Sequence, residues 1–473
     1  MKRVRLVTTK GITLGVEGLS ELIGVVESPY VLLVAGNPGA GKTTLASTIC
    51  YKNALSGKRC LYITFYEQKE KLFKYMSNLG LDLADAESKG LLRFTRLSIP
   101  SSIDAFIEVF TSLLSEERYD VIVIDSINPL LESFGPQSGR AWLTNFFYNI
   151  AQTIQGFLIL VSELPHGSET TASGVLEFIT DAIVVLKQKI EDRFLVRFME
   201  IRKARGSSIS LAEVPFSINA GEGIRVWVPP VLSEVSPERE PVELVCDLLR
   251  KAWGNIRKGQ VINIFYPPDC RHPAMAFPIL LPALISRLKT LVISYRYSPQ
   301  TLEDTLLASL ISRGVSTDNI RNLLRKYVKV VSINPFSYST SQLAIKEMEL
   351  INSESPDVVI FHGPEIARAA SDLNTYVREL FNETNYLKNR GILVARLISY
   401  IDETTYRLES SMADIVMKLD YEVLNGKPVL TVYLWSKGGD PHIVSLNELE
   451  KCVLEAYATI KVADNSSQSP GRA

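Results

Sequence analysis

The sequence predicts an α/β protein of two tandem domains, each a mainly parallel, twisted sheet flanked by helices. Three observations carry this expectation. Short apolar runs alternate with helical stretches through the first 230 residues, the order of those runs recurs later in the chain, and a proline-rich charged stretch separates the two arrays.

In the first array, YVLLVA (30–35) reads as a strand and residues 43–57 as a helix ended by Gly57. CLYITF (60–65) is the next strand, residues 101–117 a helix, and YDVIVID (119–125) a third strand. A helix over 139–156, closed by Gly156, leads into the strand FLILVS (157–162). DAIVVLKQKI and RFLVRFMEIRKARG then have the length and spacing of antiparallel strands. PPVLSEVSPEREP (229–241) suits an exposed connector.

Beyond it, VINIFYPPDC, TLVISYRYSP, PDVVIFHGP, GILVARL and MADIVMKLDYEV repeat the earlier strands in order. The offsets are steady: 268 − 38 = 230 at a shared proline, 297 − 67 = 230 at the second strand and 362 − 125 = 237 at the third. The expected division is a first domain over 1–230, a linker over 231–241, a second domain over 242–460 and a polar, disordered tail over 461–473.

Apolar residues make up 46% of the 473, which supports sizeable cores. Lys plus Arg is 51 against 52 for Asp plus Glu, a net charge of −1, so the basic excess of a dedicated nucleic-acid binder is missing. The apolar runs are too short to cross a bilayer, and the N-terminus shows no signal-peptide core. Five scattered cysteines without CxxC spacing read as buried reduced thiols, with the cytoplasm as location.

The strongest local signal is GNPGAGKT, Gly36–Thr43, between the VLLVA strand and a TTLASTI helix. A phosphate-binding loop needs glycines so that backbone N–H groups can turn inward, and Gly36, Gly39 and Gly41 supply that freedom. Asn37, Pro38 and Ala40 complete the cradle, and Lys42 is expected to reach the β- and γ-phosphates of ATP. The Thr43 hydroxyl should ligate Mg²⁺, with Thr44 beside it at the start of the helix, whose N-terminus favours the anion. Asp125, ending VIVI, fits a Walker-B carboxylate that orients the metal through water. Glu67, after CLYITF, is the candidate general base for the attacking water.

Together GNPGAGKTT, the carboxylate after YITFY, VIVIDS and EIRKARG (200–206) resemble the KaiC-like branch of the RecA ATPases. The resemblance runs over about residues 10–460, strongest in the first half, and implies two tandem RecA-like domains. It further implies that Lys203 and Arg205 reach the nucleotide of a neighbouring subunit as trans-acting fingers, with ATP at the subunit interfaces of a hexamer. Ser162 matches a position that senses the γ-phosphate. Relatives usually carry two adjacent carboxylates where this chain has Tyr66-Glu67, and the first is taken as the base. Tyrosine is a poor base at neutral pH, so either Glu67 takes over or hydrolysis is slow.

In the second copy YPPDCRHP (266–273) stands in place of the P-loop, without a glycine and with prolines that remove N–H donors. Lys42 aligns with His272, Asp125 with His362 and Glu67 with Tyr297, while WSKGG (435–439) keeps a trace of the finger motif. Two histidines on different strands without a third ligand read as structural, so this half is expected to be a pseudo-ATPase without autokinase activity. The leading functional expectation is a slow, Mg-dependent ATPase acting as a nucleotide-regulated assembly, with a further protein partner unspecified. A RecA/RadA-type recombination ATPase is the second reading. The segments that would hold DNA, 133–140 and 163–174, are nearly free of Lys and Arg, so nucleic acid is not an expected partner. An ATP-binding scaffold with negligible turnover is the third.

Overall fold

A computed structural model of the chain describes residues 11–24, 26–100, 102–133, 140–164, 176–191, 193–209, 211–232, 238–244, 246–270, 275–312, 318–400, 402–424 and 426–467. The chain divides into two compact units, Met1–Val228 and Pro229–Ala473.

In the first unit, strands β1 (Tyr30–Gly36), β2 (Cys60–Thr64), β3 (Leu92–Arg96), β4 (Val121–Asp125) and β5 (Phe157–Glu163) are followed by β6 (Ala182–Glu191), β7 (Phe194–Ala204), β8 (Glu213–Asn219) and β9 (Gly223–Val226). They form one sheet in the order β3-β2-β4-β5-β1-β6-β7-β8-β9. The strands from β3 to β6 pair in parallel, and β6 to β9 continue antiparallel, as the sequence predicts for the β6–β7 hairpin. A parallel strand covered on both faces reads as an unbroken apolar run, and β1 is buried at every residue. Helix Lys42–Leu55 covers one face through Leu45, Ala46 and Ile49, and Phe106, Phe110 and Phe147 cover the other.

The second unit opens with a short pair, β10 (Pro241–Val242) and β11 (Ile256–Arg257). Then come β12 (Val261–Tyr266), β13 (Thr290–Ser294), β14 (Val328–Ser332), β15 (Val358–His362), β16 (Leu393–Ser399), β17 (Ile415–Leu424), β18 (Lys427–Ser436) and β19 (His442–Ser445). Their order, β14-β13-β15-β16-β12-β17-β18-β19, is that of the first sheet without its last strand, β9. The match extends to single hydrogen bonds. Val31 N–H donates to Asp181 Oδ2 and Val261 N–H to Asp414 Oδ2, both at 2.9 Å. Arg59 N–H donates to Asp120 Oδ2 at 2.9 Å and Lys289 N–H to Asp357 Oδ2 at 3.0 Å.

Some expectations need correction. Cys246 and Cys452 are disulfide-bonded with Cα atoms 5.3 Å apart, whereas Cys50, Cys60 and Cys270 are buried and outside any disulfide. The partners lie 206 residues apart, so local spacing could not pair them; packing of helix Asp247–Trp253 against helix Leu446–Ser467 does. That last helix also runs through the first part of the tail expected to be disordered, anchored by buried Leu449, Cys452, Val453 and Ala456. Its start is fixed by Ser445, whose Oγ accepts the Glu448 N–H while the Glu448 carboxylate accepts from Ser445. Residues 233–237 of the connector and 468–473 of the tail lie outside the described residues, as do 134–139 and 165–174 of the DNA-reading segments.

The two copies differ sharply in one layer. Helix Ile103–Glu116 and helix Thr340–Glu354 are capped by Ser102 and Ser339, and 339 − 102 = 237. The same offset carries Phe110 to Glu347, and an offset of 236, fixed by Phe157 and Leu393 at the starts of pairing with β4 and β15, carries Phe147 to Glu383 and Leu160 to Arg396. An apolar trio has become two carboxylates and a guanidinium, all still buried. Arg396 donates to Tyr376 Oη at 2.7 Å and lies 3.5 Å from Glu409, and Tyr295 Oη donates to Glu347. Glu347 and Glu383 are neighbours in this layer, and burial together with the charge of Glu347 favours a proton held by the pair.

Burial pushes both carboxyls up, Glu347 to about 7, against 4.5 when unfolded. The folded unit therefore binds more protons than the unfolded chain between those values, and these two groups make stability fall as pH rises from about 4.5 to 7. A Glu347→Gln/Glu383→Gln variant should lack this fall. Denaturant unfolding at pH 5 and pH 8 should show wild type losing on the order of 1–3 kcal/mol relative to the variant; parallel pH profiles would refute the shared proton.

Candidate functional site

The register of β1 between β5 and β6 decides where the P-loop opens. Gly36 is the last paired residue, opposite Glu163 on one side and Leu186 on the other. A side chain on Gly36 would meet Leu186 O at 2.5 Å, so only glycine lets the chain leave the sheet here. Gly41 has φ 104° and serves as N-cap of helix Lys42–Leu55, a left-handed conformation that glycine adopts without strain. Between them the Pro38 carbonyl accepts from Gln188 Nε2 at 3.2 Å, tying the loop to β6.

Lys42 is buried and donates to the Asn37 carbonyl at 3.0 Å. Burial lowers its pKa, opposed by the charges of Glu163 and Asp125. Asp125 is buried at the end of β4, accepts from Tyr62 Oη at 2.7 Å and is hydrogen-bonded to the Thr43 side chain. Desolvation raises its pKa, while those bonds and the Lys42 charge pull the other way. Ser162, at the end of β5, is fully buried, and its hydroxyl has no hydrogen-bond partner. Thr44 lies in the first turn of the helix, where its carbonyl accepts from Thr48 Oγ1.

Glu67 is half-buried beyond β2, its N–H donating to Thr64 Oγ1 at 3.3 Å, and its charge reaches Asp125. Tyr66 is 58% exposed and turns away from the core. The structure thus brings together the loop, Lys42, Thr43, Asp125 and Glu67. It does not bring Lys203 and Arg205 to them. Lys203 pairs with Ile183, which pairs with Leu33, three residues before Gly36 and two strands across. That is roughly 10 Å back along the sheet at ~3.3 Å per residue. Lys203 Nζ donates to Glu177 O at 2.6 Å, and Arg205 bonds Asp181 Oδ1 at 3.2 Å and Phe178 O at 2.8 Å, at the end of the sheet away from the chain's own P-loop.

Sequence reasoning missed two groups. Tyr62 and Glu163 act on Asp125 and Lys42 respectively, yet neither stands in a motif. The available signal was position: Tyr62 sits one strand over from Asp125, and Glu163 directly follows Ser162. In the second unit the aligned positions carry no such chemistry. His362 Nδ1 lies 3.1 Å from Ser294 Oγ, and Tyr297 N–H donates to that hydroxyl as Glu67 N–H does to Thr64. His272 lies outside the described residues, and among those described no three metal-ligating side chains converge.

The donor set fits a magnesium nucleotide. A glycine-kinked loop feeding a helix N-terminus, with one ammonium, suits phosphate oxygens. Paired hydroxyl and carboxylate oxygens at Thr43 and Asp125 suit a hard cation. Ser162 does not join this set: its buried, unpartnered hydroxyl follows Leu158 and Leu160 and pairs beside Ala35, on the face of the sheet opposite Asp125 and the P-loop helix.

Comparison with known proteins agrees with this geometry. The family model "ATPase: KaiC" matches residues 12–230. "Circadian clock oscillator protein KaiC" of Parathermosynechococcus lividus is 27% identical over 198 residues, 41% of this chain and 36% of that protein. The protein of the same name from Picosynechococcus sp. is 28% identical over 201 residues, 41% of this chain and 39% of its own. The chain thus spans well under half the length of these relatives. "Circadian clock protein KaiC2" of Synechocystis sp. aligns more extensively, 20% identical over 457 residues, 92% of this chain and 78% of that protein. Residues 12–230 therefore resemble a KaiC-type P-loop ATPase domain, and the chain as a whole has two tandem α/β units of one strand order.

Proposed function

We propose that this chain binds Mg-ATP at its one intact P-loop and hydrolyses it slowly within a homo-hexameric ring, whose conformation and partner binding follow the nucleotide. The observation that carries the binding claim is the convergence of Lys42 and the Thr43–Asp125 pair on the glycine-kinked loop at the mouth of β1. Gly36 to Gly41 and the N–H groups up to Thr44 would surround the phosphates, and Thr43 and, through water, Asp125 would hold the magnesium ion.

Glu67 would accept the proton of the attacking water as it adds to the γ-phosphorus, while the bond to the β-phosphate oxygen breaks and ADP leaves. Tyr66 beside it offers no second base, which supports low turnover. Lys203 and Arg205 are too far back along the sheet for their own site, which supports action on a neighbour's nucleotide. Cations there offset the charge that develops on the transferring phosphoryl group. The second unit, without the loop, is read as a packing or partner-binding unit without autokinase activity.

Tyr66 also gives a second reading its footing: a nucleotide-gated scaffold with negligible turnover. Wild type and Glu67→Gln compared in single-turnover hydrolysis separate the two, since only the slow-ATPase reading predicts a loss. The cytoplasm suits this function, and no helix among the described residues is long and apolar enough to cross a membrane. There the Cys246–Cys452 pair would meet reducing conditions. Alkylation of intact cells followed by non-reducing electrophoresis reports whether the bond persists.

Lys42→Ala should weaken ATP binding at least about 100-fold, and Arg205→Ala should keep binding yet lose about 100-fold or more in turnover. Mixing the two variants provides the decisive readout. The Arg205→Ala subunit keeps a working loop and the Lys42→Ala subunit a working finger, so a mixed ring should regain activity that neither shows alone. A mixture as inactive as its components would refute the trans arrangement.

A further inference from the structure

In the first unit a stack of rings fills the space beneath the edge of the sheet next to Asp125. Tyr62 on β2 stacks on Phe94 of β3 with centroids 5.9 Å apart, and Phe73 meets Phe94 edge-on at 5.6 Å. The Tyr62 hydroxyl caps the stack by donating to Asp125. Pairing registers identify the same places in the second unit. Cys60 pairs with Leu92 and Val121, and Thr290 with Val328 and Val358, which carries Tyr62 to Val292, Phe94 to Val330 and Asp125 to His362. The N-caps Gln68 and Ser298 carry Phe73 to Glu303.

All three rings are gone, and the space has not collapsed. A cavity of about 200 Å³ remains, walled by Val292, Val330, Leu302, Leu306 and Ile360 and bounded by His362. Glu303 and the exposed Arg325 also line it, one charge of each sign. An enclosed apolar cavity of about 150 Å³ takes up benzene, and this one, open to solvent on one side, has room for a single ring.

His362 supplies the one polar group with a fixed role. Ser294 Oγ accepts the N–H groups of Tyr297 at 3.0 Å and Arg296 at 3.4 Å, so its own proton is directed to His362 Nδ1. Burial and the nearby Arg296 charge hold the ring neutral, with a pKa lowered to about 4. The remaining proton then sits on Nε2, making the ring a donor there.

We infer that the second unit has exchanged its nucleotide site for a small-molecule pocket, which takes a neutral, one-ring apolar compound with a single oxygen acceptor set against His362. The pocket is independent of the P-loop and of any turnover there.

The natural probe is p-cresol, the side chain that Tyr62 provides in the first unit, with toluene as the counterpart lacking oxygen. In calorimetric or saturation-transfer titration of the full chain, p-cresol should bind more tightly than toluene, and His362→Leu should erase that preference. Val292→Tyr/Val330→Phe rebuilds the stack of the first unit and should cut p-cresol affinity at least tenfold while ATP binding at the P-loop is unchanged. If that variant does not fold, soaking wild-type crystals with 4-bromophenol gives the same answer, because the anomalous bromine signal should lie between β13 and β14. No binding to wild type, equal binding to the refilled variant, or bromine found elsewhere would each overturn the assignment.

Discussion

One carboxylate at the start of the central strand organises each half of this molecule. Asp181 accepts the Val31 N–H through Oδ2 and the Arg205 guanidinium through Oδ1, and its backbone carbonyl accepts the Arg205 N–H at 2.8 Å. It thereby fixes where β1 begins and where the β6–β7 hairpin ends. Once that end is pinned, the register with β5 and β6 sets the other end, and the chain must leave the sheet at Gly36. The second unit keeps the device intact: Asp414 accepts the Val261 N–H, and its carbonyl accepts the Lys437 N–H at 2.8 Å. A buried N–H at a strand start needs an acceptor whatever the function, so this bond is retained where the chemistry is not.

What diverges is what hangs on the frame. At the mouth of the central strand the first unit has a glycine-kinked loop, and the second has YPPDCRHP. On one face of the sheet Phe110, Phe147 and Leu160 give way to Glu347, Glu383 and Arg396, buried with Tyr295 bonded to Glu347 and Tyr376 to Arg396 and Glu409, while Glu383 Oε1 and Arg396 Nε lack partners. Such a network contributes little net stability beside an apolar core, since desolvation offsets much of the attraction. On the other face three rings give way to two valines and a glutamate.

The sequence made the P-loop and the duplication legible because both are local signals: a spaced motif between a strand and a helix, and short apolar runs in one order. The antiparallel pair ending at Ala204 was legible from its length. Lateral contacts were not. Tyr62 and Asp125 are 63 residues apart, the Cys246–Cys452 bond spans 206, and neither has a spacing rule. β3, with one buried and three half-buried residues, lacks the apolar run that marked its neighbours. Glu347 and Glu383 read as ordinary charges on amphipathic helices, and only a partner on β16 makes them core residues. The tail misled through its polar composition, since the buried side chains that anchor its helix lie earlier, from Leu449 to Tyr457.

The central claim is that this chain has two copies of one fold and a single nucleotide site. Equilibrium binding of a non-hydrolysable ATP analogue in the presence of Mg²⁺, measured as moles bound per mole of chain at saturation, tests it most directly. The account predicts one per chain in wild type and none in Lys42→Ala. Two per chain would contradict it, as would one per chain that survives loss of Lys42.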